Sequence, residues 1–109
     1  MKKITLLIND KEKTFNPPAF VPGLLGRKAA ELEDKYLSPT GQENNKATQS
    51  EVLDTFVDFV CLAYGNVFTP EEFYNGIDSR KMYTTIMELL SGITKETAEA
   101  AGGETVPNE

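Results

Sequence analysis

Ser50 to Tyr64, SEVLDTFVDFVCLAY, constrains this chain more than any other stretch. Its polar residues Glu51, Asp54, Thr55 and Asp58 fall three or four apart, on one face of a helix. Nearly everything else on it is apolar: Val52, Leu53, Phe56, Val57, Phe59, Val60, Cys61, Leu62, Ala63 and Tyr64. A helix apolar almost all round needs neighbours on several sides, so it predicts the centre of a domain. It is too short and too interrupted by acids to span a bilayer. The remaining chain, 109 residues in all, supplies enough for one modest core around it.

The flanking segments read as follows. Ile4, Leu6 and Ile8 alternate with Thr5 and Leu7, which predicts a strand, and Asn9-Asp10-Lys11 is a tight turn into a second strand ending at Phe15. A lone hairpin (3–15) is marginal in water, so it must lie against the helices or pair with another chain. Pro17-Pro18 ends it. An amphipathic helix is expected over 22–37, with Leu25, Ala29, Leu32 and Tyr36 inward and Glu31 paired to Lys35. SPTGQENNKA, 38–47, has no large apolar residue and reads as a flexible loop. Thr48 with Glu51 is a capping box for the central helix, 50–64, which Gly65-Asn66 closes. Thr69-Pro70-Glu71-Glu72 opens a short helix, 70–75, and Asp78 caps a last helix, 78–91, ended by Ser91-Gly92. Thr94 to Ala101 offers at most a weak helix without an apolar stripe, and 93–109 is expected to be a disordered acidic tail. The fold class is therefore mostly α (α+β): one domain, 1–92, with an N-terminal β-hairpin and about four helices.

The available chemistry is narrow. The chain has no histidine, which removes Ser-His-Asp and Cys-His pairs and every His-ligated metal. The single cysteine, Cys61, sits in the most apolar stretch and reads as a buried, inert thiol. Glu51, Asp54 and Asp58 have the residue types of a hard-cation or acid/base site, but no Ca²⁺-loop spacing, and read as a solvated face. Gly23-Leu24-Leu25-Gly26-Arg27-Lys28 has the GxxG of RNA-clamping loops, yet it opens a helix without a basic or aromatic surround. Net charge is −6, and residues 38–92 carry eight acids against three bases, so nucleic acid is not the expected partner. Lys2 and Lys3 precede only a short apolar run, so neither an export leader nor a membrane segment is expected. No cofactor, metal or catalytic set is expected.

The pattern as a whole resembles a known family. KITLLINDKEKTF, a Pro/Phe connector, an amphipathic helix, then FVDFVCLAYGNVFTPEEFYNGI and a final helix look like the tail assembly chaperones of long-tailed (siphovirus) bacteriophages of Gram-positive bacteria. Phe56 to Ile77 carries most of the likeness. The resemblance implies a non-enzymatic factor in the cytoplasm of the bacterial host, absent from the mature virion. It implies two partners: the tape-measure protein, which it coats and keeps soluble, and the tail-tube protein, which it recruits. A weak homo-oligomer is also expected. The partner-binding residues expected are Leu25, Leu32 and Tyr36 on the first long helix, with Phe68, Phe73 and Tyr74 around the short one. For Phe68 and Phe73 the alternative is a cluster packed against the central helix. The competing functional reading is another phage or bacterial interaction module, such as a head–tail completion protein or a regulatory adaptor.

Overall fold

In the computed structural model, which describes residues 1–44 and 46–100, the central stretch is a helix with the rest of the chain packed about it. The order is β1 (Ile4–Ile8), β2 (Lys11–Phe15), α1 (Gly23–Leu32), a π-turn (Glu33–Leu37), α2 (Pro39–Asn44), α3 (Gln49–Ala63), α4 (Pro70–Gly76) and α5 (Ser79–Ala100). The expected hairpin and the four expected helices are present, and their ends lie where local chemistry puts them. Thr48 Oγ1 accepts from the Glu51 N–H at 3.2 Å, and the Glu51 carboxylate accepts from the Thr48 N–H at 2.8 Å. Thr69 and Glu72 repeat the box on α4, at 3.1 and 2.9 Å. At the end of α3, Gly65 and Asn66 both take left-handed backbone, donating to Leu62 O and Cys61 O respectively. That is the paired bonding of a Schellman end.

β1 and β2 pair antiparallel with Ile4 opposite Phe15 and Ile8 opposite Lys11. The two residues between them, Asn9 and Asp10, both have positive φ, as a two-residue hairpin turn of matching twist requires. Ile4 and Leu6 are buried while Thr5 and Leu7 face out, the alternation expected. The hairpin lies against α4, where a Cβ on Gly76 would stand 2.9 Å from Leu6 Cβ and 2.9 Å from Leu7 O. Only glycine allows that approach. Tyr64 donates its hydroxyl to Lys2 O and ties the hairpin to the end of α3. Phe15, Tyr64, Phe68 and Phe73 fill the space between, with ring centroids 5.0 to 6.0 Å apart along the chain of contacts.

Three boundaries depart from expectation. The segment 38–47, expected as a loop, contains α2. Its start is capped: Ser38 Oγ accepts from the Gly41 N–H at 3.0 Å, and Pro39 occupies the first helical position. The first long helix is α-helical only to Leu32 and then widens into the π-turn. Glu31, expected to pair with Lys35, pairs with Arg27 at 3.4 Å. The last helix runs through Ser91-Gly92 to Ala100, so 93–100 is helical, and residues 101–109 of the expected tail lie outside the described residues. Ile93 explains it: the side chain is 2% exposed. A mid-helix glycine costs about 1 kcal/mol, less than the ~1.5–3 kcal/mol gained by burying an isoleucine.

A cleft between three helices and the π-turn

α3 contributes Val52, Leu53 and Phe56 to a cleft, and α5 contributes Ile86 and Met87 with Tyr83 at its mouth. These are the faces left over once Val57, Val60, Leu89, Leu90 and Ile93 have entered the core. The opposite wall is Tyr36 and Leu37 of the π-turn and Gln42 of α2, with Ala47 and Gln49 at one end. The cleft has a volume of about 550 Å³ and no charged residue in its lining. Tyr36 stands edge-on to Phe56 at 5.7 Å, and Lys35 Nζ lies over the Tyr36 ring, 5.3 Å from its centroid. Leu37 and Tyr83 remain 37% and 56% exposed, so apolar surface continues out of the mouth. A wider recess of about 750 Å³ lies between the hairpin and the α4–α5 junction, but Lys3, Glu12, Asp78 and Lys81 line it. Charges of both signs make that recess a solvated depression.

Of the six residues expected to meet a partner, the cleft contains only Tyr36. Leu25, Phe68 and Phe73 are core, at 5%, 2% and 0% exposure, and are closed to a partner in this conformation. The reason is geometric: α1 lays Leu25 and Ala29 inward, and the turn after α3 folds Phe68 back onto Tyr64 and Phe73. The packed-cluster reading of Phe68 and Phe73 therefore describes them. Leu32 is half-buried and borders a smaller recess with Lys28, Asp58 and Leu62. Tyr74 is half-buried and donates a hydrogen bond from its hydroxyl to Asp54. Leu37, Gln42, Tyr83 and Met87 carry no mark of a site in the sequence, and Val52 and Leu53 read there only as part of the central apolar stretch, because a cleft drawn from four segments leaves no signal on any one of them.

The other motifs are occupied with structure. Glu51 closes its capping box, Asp54 accepts from Tyr74, and Asp58 is exposed. Among the described residues, no three His, Cys, Asp or Glu side chains cluster in a way that would hold a metal ion. Gly23 to Lys28 forms the first turns of α1, with Gly26 buried and Arg27 bound to Glu31. The Cys61 thiol is buried, and that burial, with Asp58 and Glu72 nearby, pushes its pKa to about 11. A thiol so poised is a poor nucleophile near neutrality. No described helix is long and apolar enough to cross a membrane.

What the arrangement offers is an apolar floor and an uncharged opening, a surface suited to binding. No curated protein and no solved structure matches the chain. A family model does, described as phage tail chaperone protein, and it covers residues 1–108. The likeness read from the hairpin and from Phe56 to Ile77 thus extends over nearly the whole sequence, and the chain belongs to the phage tail chaperone family.

Proposed function

We propose that this protein is a non-enzymatic tail assembly chaperone that coats a tape-measure protein and brings tail-tube subunits to it. It would work in the cytoplasm of a bacterial host and be left out of the finished virion. The observation that carries this reading is the charge-free cleft of about 550 Å³ in a chain of this family. A tape measure is a very long amphipathic helix, and its apolar stripe aggregates when bare. A groove of this kind covers part of such a stripe in the helix-in-groove mode. Many weak copies along one tape hold it by avidity, and each is displaceable by tube protein. The net charge of −6 keeps the coated complex soluble. Weak contacts between neighbouring copies belong to the same reading. Within it, Tyr36 is the expected contact that the cleft retains, Leu25 takes part only if α1 lifts, and Phe68 and Phe73 only if the hairpin comes away from α4.

The test is co-expression. The tape-measure protein from the same phage, expressed alone, should pellet; with this protein it should stay in the supernatant. Unchanged solubility would sink the chaperone reading and favour a head–tail completion protein or an adaptor.

A further inference from the structure

A pair of strands has two outer edges, and this fold covers only one of them. Ile8 and Lys11 flank the two-residue turn, so they exchange backbone bonds, as do Leu6 with Lys13 and Ile4 with Phe15. The backbone groups of the alternate residues point outward: Thr5 and Leu7 on β1, Glu12 and Thr14 on β2. The β1 edge is turned into the α4–α5 junction, where Gly76 stands against the Leu7 backbone. The β2 edge has no such cover. Lys11 to Thr14 are all exposed, and β2 packs chiefly on β1. Among the described residues, no backbone hydrogen bond from outside the strand pair reaches Glu12 or Thr14. An uncovered edge is a template for another strand.

The charges on β2 decide which strand fits. A parallel match in register sets each lysine beside its twin. An antiparallel match centred on Glu12 sets glutamate against glutamate, and one centred on Lys13 sets lysine against lysine. The match centred on Thr14 has neither fault. There Thr14 meets Thr14 of a second copy, Glu12 meets an Asn16 whose amide can donate to it, and Lys13 meets a Phe15 ring. Within one chain Thr14 already shares a hydroxyl hydrogen bond with Thr5 at 3.0 Å. The two-fold continues it into a row of threonines across four strands. Pro17 has no N–H to give, so the pairing ends after Asn16.

We propose that the β2 edge binds a second copy of this chain, antiparallel, with Thr14 on the two-fold axis, joining two hairpins into one four-stranded sheet. This gives the weak contacts between copies named above a surface. It rests on that part of the proposed function alone and uses no residue of the cleft. The contact is the same patch on both copies, so it closes at two. Two chains of charge −6 repel, so the pairing is weak and tightens as salt screens them.

The test uses the protein alone, with Cys61→Ala so that no other thiol is present. Thr14→Cys brings two sulfurs to the axis, where paired Cα atoms lie about 5.5 Å apart, within disulfide range. Glu12→Cys is equally exposed and on the same face of the strand, but its twin would lie roughly 14 Å away along the sheet. Oxidised glutathione should therefore link Thr14→Cys into dimers and leave Glu12→Cys monomeric. Equal linking of the two, or faster linking of Glu12→Cys, overturns the proposal. In sedimentation the parent chain should dimerise as its concentration rises, more so at high salt. Thr14→Pro removes an outward N–H and no backbone bond to β1, and should weaken the dimer at least about tenfold, since symmetry counts the loss twice. A parent chain that stays monomeric, or association that Thr14→Pro leaves intact, also overturns the proposal. So does association abolished by Tyr83→Asp instead, which would place the contact at the cleft. If Thr14→Pro does not fold, the cysteine pair decides. Failure here with the tape measure still solubilised leaves the chaperone reading standing; a register-specific dimer with the tape measure insoluble leaves the sheet standing without it.

Discussion

Removing the ring of Phe56 would open a hole beneath Tyr36, between α3 and the π-turn. The residue is 4% exposed, and Phe56→Ala should cost about 3–5 kcal/mol in a urea titration. Cys61 and Asp78 set opposite ends of the pH profile. The thiol is held from its ordinary 9 up to about 11 by burial, then by Asp58 and Glu72. Below pH 9 that contribution is complete; from 9 to about 11 the unfolded chain ionises first, so stability falls as pH rises. Tyr74 and Tyr64, also raised, chiefly by burial, continue the fall. Cys61→Ala should flatten the first part of that limb in urea titrations at stepped pH. Asp78 is held down at about 2 by its hydrogen bonds from Arg80, so its contribution is complete above 3.8 and lost as pH drops toward 2. Asp78→Asn should remove that dependence.

Helix ends were the most legible elements, because a cap needs only residues three apart. Thr48 with Glu51 and Thr69 with Glu72 formed as read, and Thr69→Ala should cost about 1 kcal/mol by the same titration. Ser38-Pro39 carries the same kind of signal, but no large apolar residue stands behind it, and α2 is held by backbone seated on the π-turn. The π-turn itself was not legible, since its winding accompanies the contact of Tyr36 with Phe56, twenty residues on in the chain. Gly92 misled for a related reason: local propensity marks a stop, and Ile93 in the core overrides it. Amide exchange should accordingly show protection continuing through Gly92 and Ile93 rather than ending at Leu90.

At the scale of the whole molecule, the hairpin is the part whose attachment matters most. Paired strands alone are marginal, so β1 and β2 persist because Leu6, Tyr64 and Gly76 hold them to the helices. Gly76→Ala should loosen that attachment, with both Leu6 Cβ and the Leu7 backbone in the way, and amide exchange of the hairpin should quicken before that of α3. The sequence made the hairpin and the central helix visible separately; their docking, like the cleft, arises only when distant segments meet. One outcome of that docking is chemical. Asn75-Gly76 is the dipeptide that ages fastest in proteins, its asparagine cyclising onto the next backbone nitrogen when the chain is free to bend. Here that nitrogen lies in the last turn of α4, pressed against β1, so deamidation must wait for the hairpin to come away, and the slow mass gain at Asn75 in a stored sample becomes a clock that counts those departures.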